Sequence, residues 1–308
     1  AGHSRAGALR ARGDGPSRRR PGRAALARGL SRARGEARGV KAWAKLNLVL
    51  RVGRRRADGL HELASLFASI DLADGVHVES AERDEVLCPG VEGPNIAQAA
   101  LERFRARTGA GPMRVVIEKR IPVAGGLAGG SADAAAVLRG ANEVAGSPLE
   151  PADLRELGAE LGADVPSQVA PGHSVVTGAG EHVEPIELPD AHVVLWPDPA
   201  GLSTAAVYAE ADRLAVTRAQ LDPEGLHALA ARPIEALGAA MENDLESAAI
   251  ALKPELAGRV EDLAGRPGCL GARVTGSGPT VFGLFEREAD ASATADAIPG
   301  ALVARFRP

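Results

Sequence analysis

Hydrophobic and polar residues recur with two different periods along most of the chain. Strong alternation over 40–52 and short apolar-rich runs elsewhere predict strands over 40–52, 76–79, 113–121, 174–177, 182–188, 192–196, 272–275, 280–285 and 301–306, and residues 60–72 are rich in apolar side chains. Apolar residues three or four apart predict helices over 95–108, 131–142, 151–161, 203–214, 223–231, 244–252, 254–264 and 288–297. Strands and helices are mixed and no segment repeats, so we expect an α+β protein with two lobes that meet near residue 180.

The first 39 residues follow neither period. They contain eleven Arg residues and only two acidic residues, together with repeated Gly and Pro. A segment of this composition cannot bury enough apolar surface to fold, so we predict a disordered, Arg-rich extension over 1–39. Three interpretations are open: a basic arm for nucleic acid, an Arg-rich targeting peptide, or sequence from an upstream start with no role in the fold. The third is favoured, because Ser4, Ser17 and Ser31 supply few hydroxyls for a targeting peptide.

The rest of the chain is acidic, with 25 basic and 38 acidic residues over 40–308. A folded body of that charge binds nucleic-acid phosphates poorly, so we expect no nucleic-acid partner. The two cysteines, Cys88 and Cys269, lack metal-ligand spacing and are expected to be free thiols in a reducing compartment. No apolar run approaches 18 residues, so no membrane segment is predicted and a cytoplasmic location is expected.

A glycine-rich loop separates a predicted strand from the helix that is expected to begin at Ser131. Gly125, Gly126, Gly129 and Gly130 let the backbone adopt positive φ angles and bring amide N–H groups close to an anion. The first turn of the following helix adds unpaired N–H groups and the positive end of its dipole. The loop has neither a Gly-Lys-Ser/Thr sequence nor a dinucleotide G-x-G-x-x-G pattern. It predicts a phosphate site, and the alternative is a flexible turn with Ser131 as the N-cap.

Several polar residues are candidates for the chemistry beside a phosphate. Lys45 lies in an alternating strand, where an unpaired ammonium is costly to bury, so it either binds an anion or is exposed. Asn47 follows two residues later and therefore lies on the same face. Asp164 is either a turn residue or a carboxylate base that takes a proton from a substrate hydroxyl. Two further candidates are a lone histidine and a second glycine turn, namely His61 and Gly276-Ser277-Gly278.

Taken together, five motifs of this sequence resemble the GHMP kinase superfamily. They lie at 44–48 (Ala-Lys-Leu-Asn-Leu), 58–61 (Asp-Gly-Leu-His), 125–131, 162–166 (Gly-Ala-Asp-Val-Pro) and 276–279 (Gly-Ser-Gly-Pro). The resemblance implies a ribosomal-S5-like N-terminal domain over 40–180 for ATP binding and catalysis, and a ferredoxin-like C-terminal domain over 181–308 that completes the substrate cleft. Within the superfamily, the motifs are most similar to the kinases that phosphorylate the 2-hydroxyl of 4-(cytidine 5'-diphospho)-2-C-methyl-D-erythritol for non-mevalonate isoprenoid synthesis.

The resemblance also implies roles for individual residues. Asp164 matches the catalytic base and Lys45 its charge partner, with ATP and Mg²⁺ as cofactors and Ser131 as a contact to the metal or to phosphate. Contacts to the substrate are implied for Asn47, His61, Thr204 and Tyr208, of which Tyr208 would stack on cytosine. Contacts to ATP are implied for Asn95, Pro122, Gly125, Gly126, Leu127, Ala128, Gly129, Gly130, Ser131, Gly276, Ser277 and Gly278. The loop itself carries no cation, so its amides, the helix dipole, Lys45 and Mg²⁺ would together offset the phosphate charge.

One position departs from the pattern of that family. The family usually has Tyr in an Asp-Gly-Tyr-His motif, on the other side of the cytosine, and this chain has Leu60. A base that stacks on one aromatic ring instead of two loses part of a stacking energy of about 1–3 kcal/mol. We therefore expect weaker cytidine binding, with specificity left to hydrogen bonds.

Two other functions remain open on the sequence alone. Another GHMP kinase, of the homoserine or mevalonate type, would share the phosphate loop and differ in its acceptor. A non-catalytic RNA-associated protein would use the basic extension and the S5-like lobe, but the acidic body and the Lys45 and Asp164 pair oppose this. We expect a small-molecule kinase that acts as a monomer or homodimer, without a nucleic-acid or membrane partner.

Overall fold

The computed structural model describes residues 37–91, 93 and 95–307. The predicted extension over 1–39 lies outside the described residues as far as residue 36, and residues 38 and 39 already belong to the first strand. Among the described residues, no helix is long and apolar enough to cross a membrane.

A seven-stranded sheet makes up the larger part of the fold. Its strands are β1 (Arg38–Arg55), β2 (His61–Ser80), β3 (Glu85–Leu87), β4 (Met113–Glu118), β5 (Ser174–Gly178), β6 (His182–Pro185) and β8 (Glu242–Asn243). They follow the order β3-β4-β2-β1-β8, while β5 pairs with β2 and with β6. The long strands β1 and β2 pair antiparallel, and the short β8 adds to β1 in parallel.

The strand β2 is longer than the sequence pattern indicates. One strand of 20 residues replaces the apolar segment over 60–72 and the separate strand predicted over 76–79. Residues 63–70 are all buried, so the alternation of polar and apolar residues that marks a half-exposed strand is lost. Asp74-Gly75, which has the composition of a turn, lies inside this strand because the side chain of Asp74 is completely buried and paired.

Four helices accompany this sheet: α1 (Ile96–Thr108), α2 (Gly129–Val144), α3 (Pro151–Ala159) and α4 (Val165–Val169). The Ala-rich α2 packs so closely on the sheet that a Cβ at Gly140 would lie 2.7 Å from Cγ2 of Val78. Its small side chains make this approach possible. The helix begins at Gly129, two residues before the predicted start at Ser131, and Ala128 occupies the N-cap position.

The second sheet is antiparallel and has four strands. They are β7 (His192–Trp196), β9 (Cys269–Val274), β10 (Val281–Phe285) and β11 (Leu302–Arg305), in the order β11-β7-β10-β9. The remaining helices are α5 (Thr204–Leu214), α6 (Pro223–Ala230), α7 (Ile234–Ala240), α8 (Glu246–Leu252), α9 (Glu255–Ala264) and α10 (Glu288–Asp296). The prediction missed four short elements, β3, α4, α7 and β8, and of these β3, α4 and β8 span too few residues to show a period.

The two sheets share a hydrophobic cluster. Leu46 and Leu66 of the larger sheet pack together with Leu195 and Phe282 of the smaller one. Two strands from beyond residue 180, β6 and β8, pair within the larger sheet. The division into domains at residue 180 therefore stays a prediction. What the packing establishes is that segments far apart in sequence meet beside β1.

Candidate active site

A cavity of about 440 Å³ lies where β1, the glycine-rich loop and the second glycine turn meet. It brings together almost all of the residues predicted from the sequence: Lys45, Asn47, Asn95, Pro122, Gly125, Gly126, Leu127, Ala128, Gly129, Gly130, Ser131, Asp164, Thr204, Tyr208, Gly276, Ser277 and Gly278. Of the predicted set, His61 alone does not line this cavity, although it contacts Tyr208, which does.

The start of α2 opens into the cavity without a side-chain cap. Ala128 at the N-cap position has a left-handed backbone (φ 56°) and makes no capping hydrogen bond, and Ala124 earlier in the loop is also left-handed (φ 53°). Ser131 is the third residue of the helix, so it does not cap it, contrary to the alternative considered from the sequence. Unpaired first-turn amides and the positive end of the helix dipole form a site suited to an anion.

Lys45 and Asp164 meet at the cavity wall. The ammonium Nζ of Lys45 donates to Oδ1 of Asn47 at 2.6 Å and lies 3.4 Å from Oδ2 of Asp164. It also lies 4.4 Å from the ring centre of Phe67, a cation–π contact. Lys45 is only 4% exposed while Asp164 is 31% exposed. The lysine is therefore buried with partners, and the carboxylate of Asp164 is the member of the pair that solvent or a substrate can reach.

The side chain of Asn47 is held in place from both ends. Its Oδ1 accepts from Lys45, and its Nδ2 donates to Oγ of Ser65 at 2.9 Å. Ser65 in turn donates to the carbonyl oxygen of Val49 at 2.5 Å. Because this chain of bonds fixes the orientation of the amide, Asn47 positions the ammonium of Lys45.

The opposite wall of the cavity is built from α5. Oγ1 of Thr204, the first residue of α5, lies 3.0 Å from Oγ of Ser277. One turn later, Tyr208 stacks with His61, whose Nε2 lies 2.8 Å from Oδ1 of Asp212 (ring centres 5.2 Å apart, interplanar angle 29°). Burial raises the pKa of the Tyr208 phenol, and the charge of Asp164 raises it further, so the phenol is neutral at neutral pH.

The sequence reasoning missed a cation beside the glycine-rich loop. Nζ of Lys119 donates to Oδ2 of Asp74 at 2.6 Å and to Oδ2 of Asp133 at 2.7 Å, and both Lys119 and Asp133 line the cavity. Burial lowers the pKa of Lys119, but the two carboxylates outweigh it and the net shift is upward. Burial raises the pKa of Asp133 to about 7 in spite of Lys119. The available signal was that Lys119 is one of only four lysines and precedes the loop directly.

Asp74 anchors the entrance to the loop. Its Oδ1 accepts from the backbone N–H groups of Arg120 (2.5 Å) and Ile121 (2.8 Å), while Oδ2 accepts from Lys119. Asp133 has one oxygen, Oδ1, that accepts no hydrogen bond from the described part of the chain. These bonds fix the position at which the chain passes from β4 into the glycine-rich loop, and the paired Lys119 lies at this position.

Comparisons with known proteins agree on one family. The family described as "GHMP kinases N terminal domain" matches residues 95–172, and "GHMP kinases C terminal" matches residues 226–304. The chain is similar to the 4-diphosphocytidyl-2-C-methyl-D-erythritol kinase of Streptomyces avermitilis, with 41% identity over 86% of this chain and 92% of the relative. The enzyme of the same name from Shouchella clausii is 40% identical over 81% of this chain and 86% of the relative.

The solved structures give the same result. A crystal structure of 4-(cytidine 5'-diphospho)-2C-methyl-D-erythritol kinase has a TM-score of 0.72 and 34% identity, and the match covers 88% of this chain and all of that one. A homoserine kinase from Cytophaga hutchinsonii has a TM-score of 0.63 at 18% identity, over 88% of this chain and 95% of that one. The second likeness concerns the fold alone.

Proposed function

Because the chain belongs to the GHMP kinases, we propose that it transfers the γ-phosphoryl group of ATP to the 2-hydroxyl of 4-(cytidine 5'-diphospho)-2-C-methyl-D-erythritol. The product would serve non-mevalonate isoprenoid precursor synthesis. The observation that carries the proposal is that the Lys45 and Asp164 pair faces the same cavity as the uncapped start of α2. One cavity thus offers a place for transferable phosphate and a carboxylate for the acceptor hydroxyl. The relatives of about 40% identity support this acceptor over homoserine or mevalonate.

On the donor side, the phosphates of ATP lie over residues 125–131. The amides of this loop and the dipole of α2 bind them, while Lys119 holds the base of the loop through its bonds to Asp74 and Asp133. Asn95 caps α1 through the N–H of Ala97 at 2.9 Å and lines the cavity with Pro122, so both remain available to the nucleoside part of ATP. Phosphoryl transfer needs positioning and charge neutralisation above all, and this arrangement supplies both.

On the acceptor side, Asp164 takes the proton of the attacking hydroxyl. Lys45 neutralises the charge that gathers around the reacting groups and holds Asp164 close to them. Thr204 and Asn47 offer hydrogen bonds to the acceptor, and Tyr208 offers a ring face to the cytosine. His61 stacks on Tyr208 and so fixes the position of that ring.

Mg²⁺ accompanies ATP in this proposal, and the residues present fit it. Mg²⁺ prefers oxygen ligands and is bound through one or two carboxylates together with substrate phosphates. The cavity offers the hydroxyl of Ser131, and the carboxyl group of Asp133, which Lys119 holds through Oδ2, also lines it. Within the described residues, no group of three or more His, Cys, Asp or Glu could hold a metal by itself, which suits an ion that arrives with the nucleotide. Bound there and held by Ser131, it would neutralise phosphate charge.

The decisive experiment measures ATP consumption with three acceptors in parallel. We expect turnover with 4-(cytidine 5'-diphospho)-2-C-methyl-D-erythritol and none above background with homoserine or mevalonate. Turnover with either of the other acceptors, and none with the cytidine compound, would favour the second candidate, another GHMP kinase. The proposal includes a cytoplasmic enzyme, since ATP is supplied there, acting as a monomer or homodimer.

A further inference from the structure

Asn243 in the short strand β8 makes a fully paired set of hydrogen bonds behind the cavity. Its Nδ2 donates to the carbonyl oxygens of Val274 (2.7 Å) and Gly276 (2.8 Å), and its Oδ1 accepts from the N–H of Leu245 (2.9 Å). The side chain is buried. Two carbonyls on one side and one N–H on the other allow a single orientation of the amide. Asn243 thus reaches from β8, which belongs to the larger sheet, to the end of β9 in the smaller sheet.

The segment that Asn243 holds is the second glycine turn, residues 275–280. Gly276 and Gly278 both have positive φ angles (56° and 76°) and bring no side chains to the turn, whose residues are all buried, so hydrogen bonds of its backbone help to keep its shape. Further hydrogen bonds hold the turn, including the contact of Ser277 with Thr204 described above. Oγ1 of Thr275 accepts from the N–H of Asn47 at 3.1 Å, and the N–H of Thr275 donates to the carbonyl oxygen of Thr280 at 3.0 Å.

The same turn presses against the phosphate loop. The N–H of Thr280 donates to the carbonyl oxygen of Gly125 at 3.3 Å. A Cβ at Gly126 would collide with the carbonyl oxygen of Thr275, and one at Gly125 would lie 2.9 Å from Oγ1 of Thr280. The two glycine segments are therefore packed backbone to backbone. Any shift of the turn moves the surface on which the phosphate loop rests.

We propose that Asn243 is a positioning residue for nucleotide binding: it clamps the second glycine turn so that the turn supports the phosphate loop from behind. Asn243 itself does not line the cavity, so it acts through the turn. Loss of its two donated bonds leaves the carbonyls of Val274 and Gly276 without a partner and frees the turn to move. The amides of the loop then no longer converge on the phosphates. This inference rests on the proposed function only in taking the bound anion to be a nucleotide.

The test compares Asn243→Ala with the matched variant Asn142→Ala. Asn142 is also buried and also bridges backbone groups, with Nδ2 donating to the carbonyl oxygen of Leu149 (2.9 Å) and Oδ1 accepting from its N–H (3.0 Å). It lies 13 residues into α2, roughly 20 Å from the helix start at 1.5 Å per residue. The measurements are the dissociation constant of MgATP by calorimetry, without acceptor, and the thermal unfolding midpoint.

We expect both variants to lower the unfolding midpoint to a similar extent, while only Asn243→Ala weakens MgATP binding, by about tenfold or more. Binding within twofold of the wild type in Asn243→Ala would overturn the proposal, as would equal weakening in Asn142→Ala. The readout needs no acceptor, so an error in the acceptor assignment leaves it intact. A wild-type protein that fails to bind MgATP would overturn the proposed function as well.

A second pair of variants covers the case in which Asn243→Ala does not fold. Thr275→Val nearly preserves the volume of a buried side chain and removes the hydroxyl that accepts from Asn47. The substitution removes a different hydrogen bond of the same turn, the one from the N–H of Asn47, so it should also weaken MgATP binding. Thr275→Ser restores the hydroxyl and should restore the wild-type dissociation constant. Unchanged binding in Thr275→Val, or no recovery in Thr275→Ser, would contradict the proposal.

Discussion

Asp164, which pairs with Lys45, is the proposed base, and a substitution at this residue tests that role. Asp164→Asn keeps the size of the side chain and removes its ability to take a proton. We expect kcat to fall by at least about 10²-fold while the KM for ATP stays close to that of the wild type. Steady-state kinetics with both substrates varied provide the measurement.

The control for this experiment is a carboxylate of similar exposure outside the cavity. Asp71 is 38% exposed and pairs with Arg305 at 3.2 Å. Asp71→Asn should leave kcat within twofold of the wild type. If Asp164→Asn also turned over at a near-normal rate, Asp164 would not be the base.

Leu60 offers a second test at a single position. It is 52% exposed in the turn between β1 and β2, directly before His61, which stacks on the proposed cytosine platform Tyr208. Leu60→Tyr should supply a second ring and lower the KM for the cytidine substrate about fivefold, equivalent to about 1 kcal/mol of stacking. Leu302→Tyr, at an exposed position on β11 outside the cavity, should change no kinetic constant. An unchanged KM in Leu60→Tyr would show that position 60 does not contact the base.

Helix α2 illustrates how close packing reverses an ordinary helix rule. Gly→Ala in a helix usually stabilises by about 0.5–1 kcal/mol, because Ala loses less backbone entropy on folding. At Gly140 a Cβ would lie 2.7 Å from Cγ2 of Val78, and such overpacking costs about 1–3 kcal/mol. We expect Gly140→Ala to lower the free energy of unfolding. Gly258 in α9 has nothing within 4 Å of its Cβ position, so Gly258→Ala should raise it.

Urea denaturation of the two variants tests this comparison. A stabilised Gly140→Ala protein would mean that the sheet moves aside at little cost. A lower free energy of unfolding in Gly140→Ala together with a higher one in Gly258→Ala would show that contact with the sheet determines the effect of the added methyl group. Helical propensity alone would raise the free energy of unfolding in both variants.

The elements themselves show which features a sequence pattern can predict. The helix α1 was predicted closely, because it has one buried face and clear end signals, and the strand His192–Trp196 was predicted closely as a short, continuously apolar run. The start of α2 was misplaced, since Ser131 has the composition of an N-cap while the left-handed residue Ala128 takes that place. The two-residue strand β8 has no period at all. It forms because Asn243 and its neighbours find partners in β1 and β9, which lie far away in sequence.

The convergence of the candidate site residues on one cavity agrees with the sequence motifs, while their roles stay predictions. Residues such as Lys45 and Asp164 carry motifs that resemble a known family, and the cavity brings them together. Lys119 was missed because its two carboxylate partners, Asp74 and Asp133, come from a different strand and a different helix. A local pattern does not reveal that these three side chains converge.

The pH dependence of folding tests the packing between the larger sheet and the end of the chain. His173 is buried, its Nδ1 accepts from the N–H of Ser69 at 3.2 Å, and its ring lies 5.5 Å from that of Phe306. Burial, together with the charge of Arg307, lowers the pKa of His173 to about 4. The unfolded chain, with a histidine pKa near 6.5, therefore binds more protons than the folded one. Stability falls as the pH falls from about 6.5 towards 4.

His173→Gln removes this contribution, which amounts to about 3 kcal/mol across that range. Two carboxylates with a raised pKa, the buried Asp133 and the half-buried Glu246, act in the opposite sense, because their stabilisation is present at low pH and is lost as the pH rises. The informative quantity is therefore the difference between wild type and variant in urea unfolding at several pH values. We expect the wild type to lose more stability on acidification than His173→Gln. An equal loss of stability on acidification in the wild type and in His173→Gln would contradict the assignment of this pH dependence to His173.

The packing of the two glycine segments against each other also limits how such enzymes can diverge. Gly126 leaves no room for a side chain beside Thr275, and the two segments lie about 150 residues apart in the sequence. A chimaera that takes its C-terminal half from another member of the family places a foreign segment against the glycine-rich loop, even if every residue proposed to be catalytic is retained. Recombination between relatives should therefore succeed where both glycine segments come from the same parent.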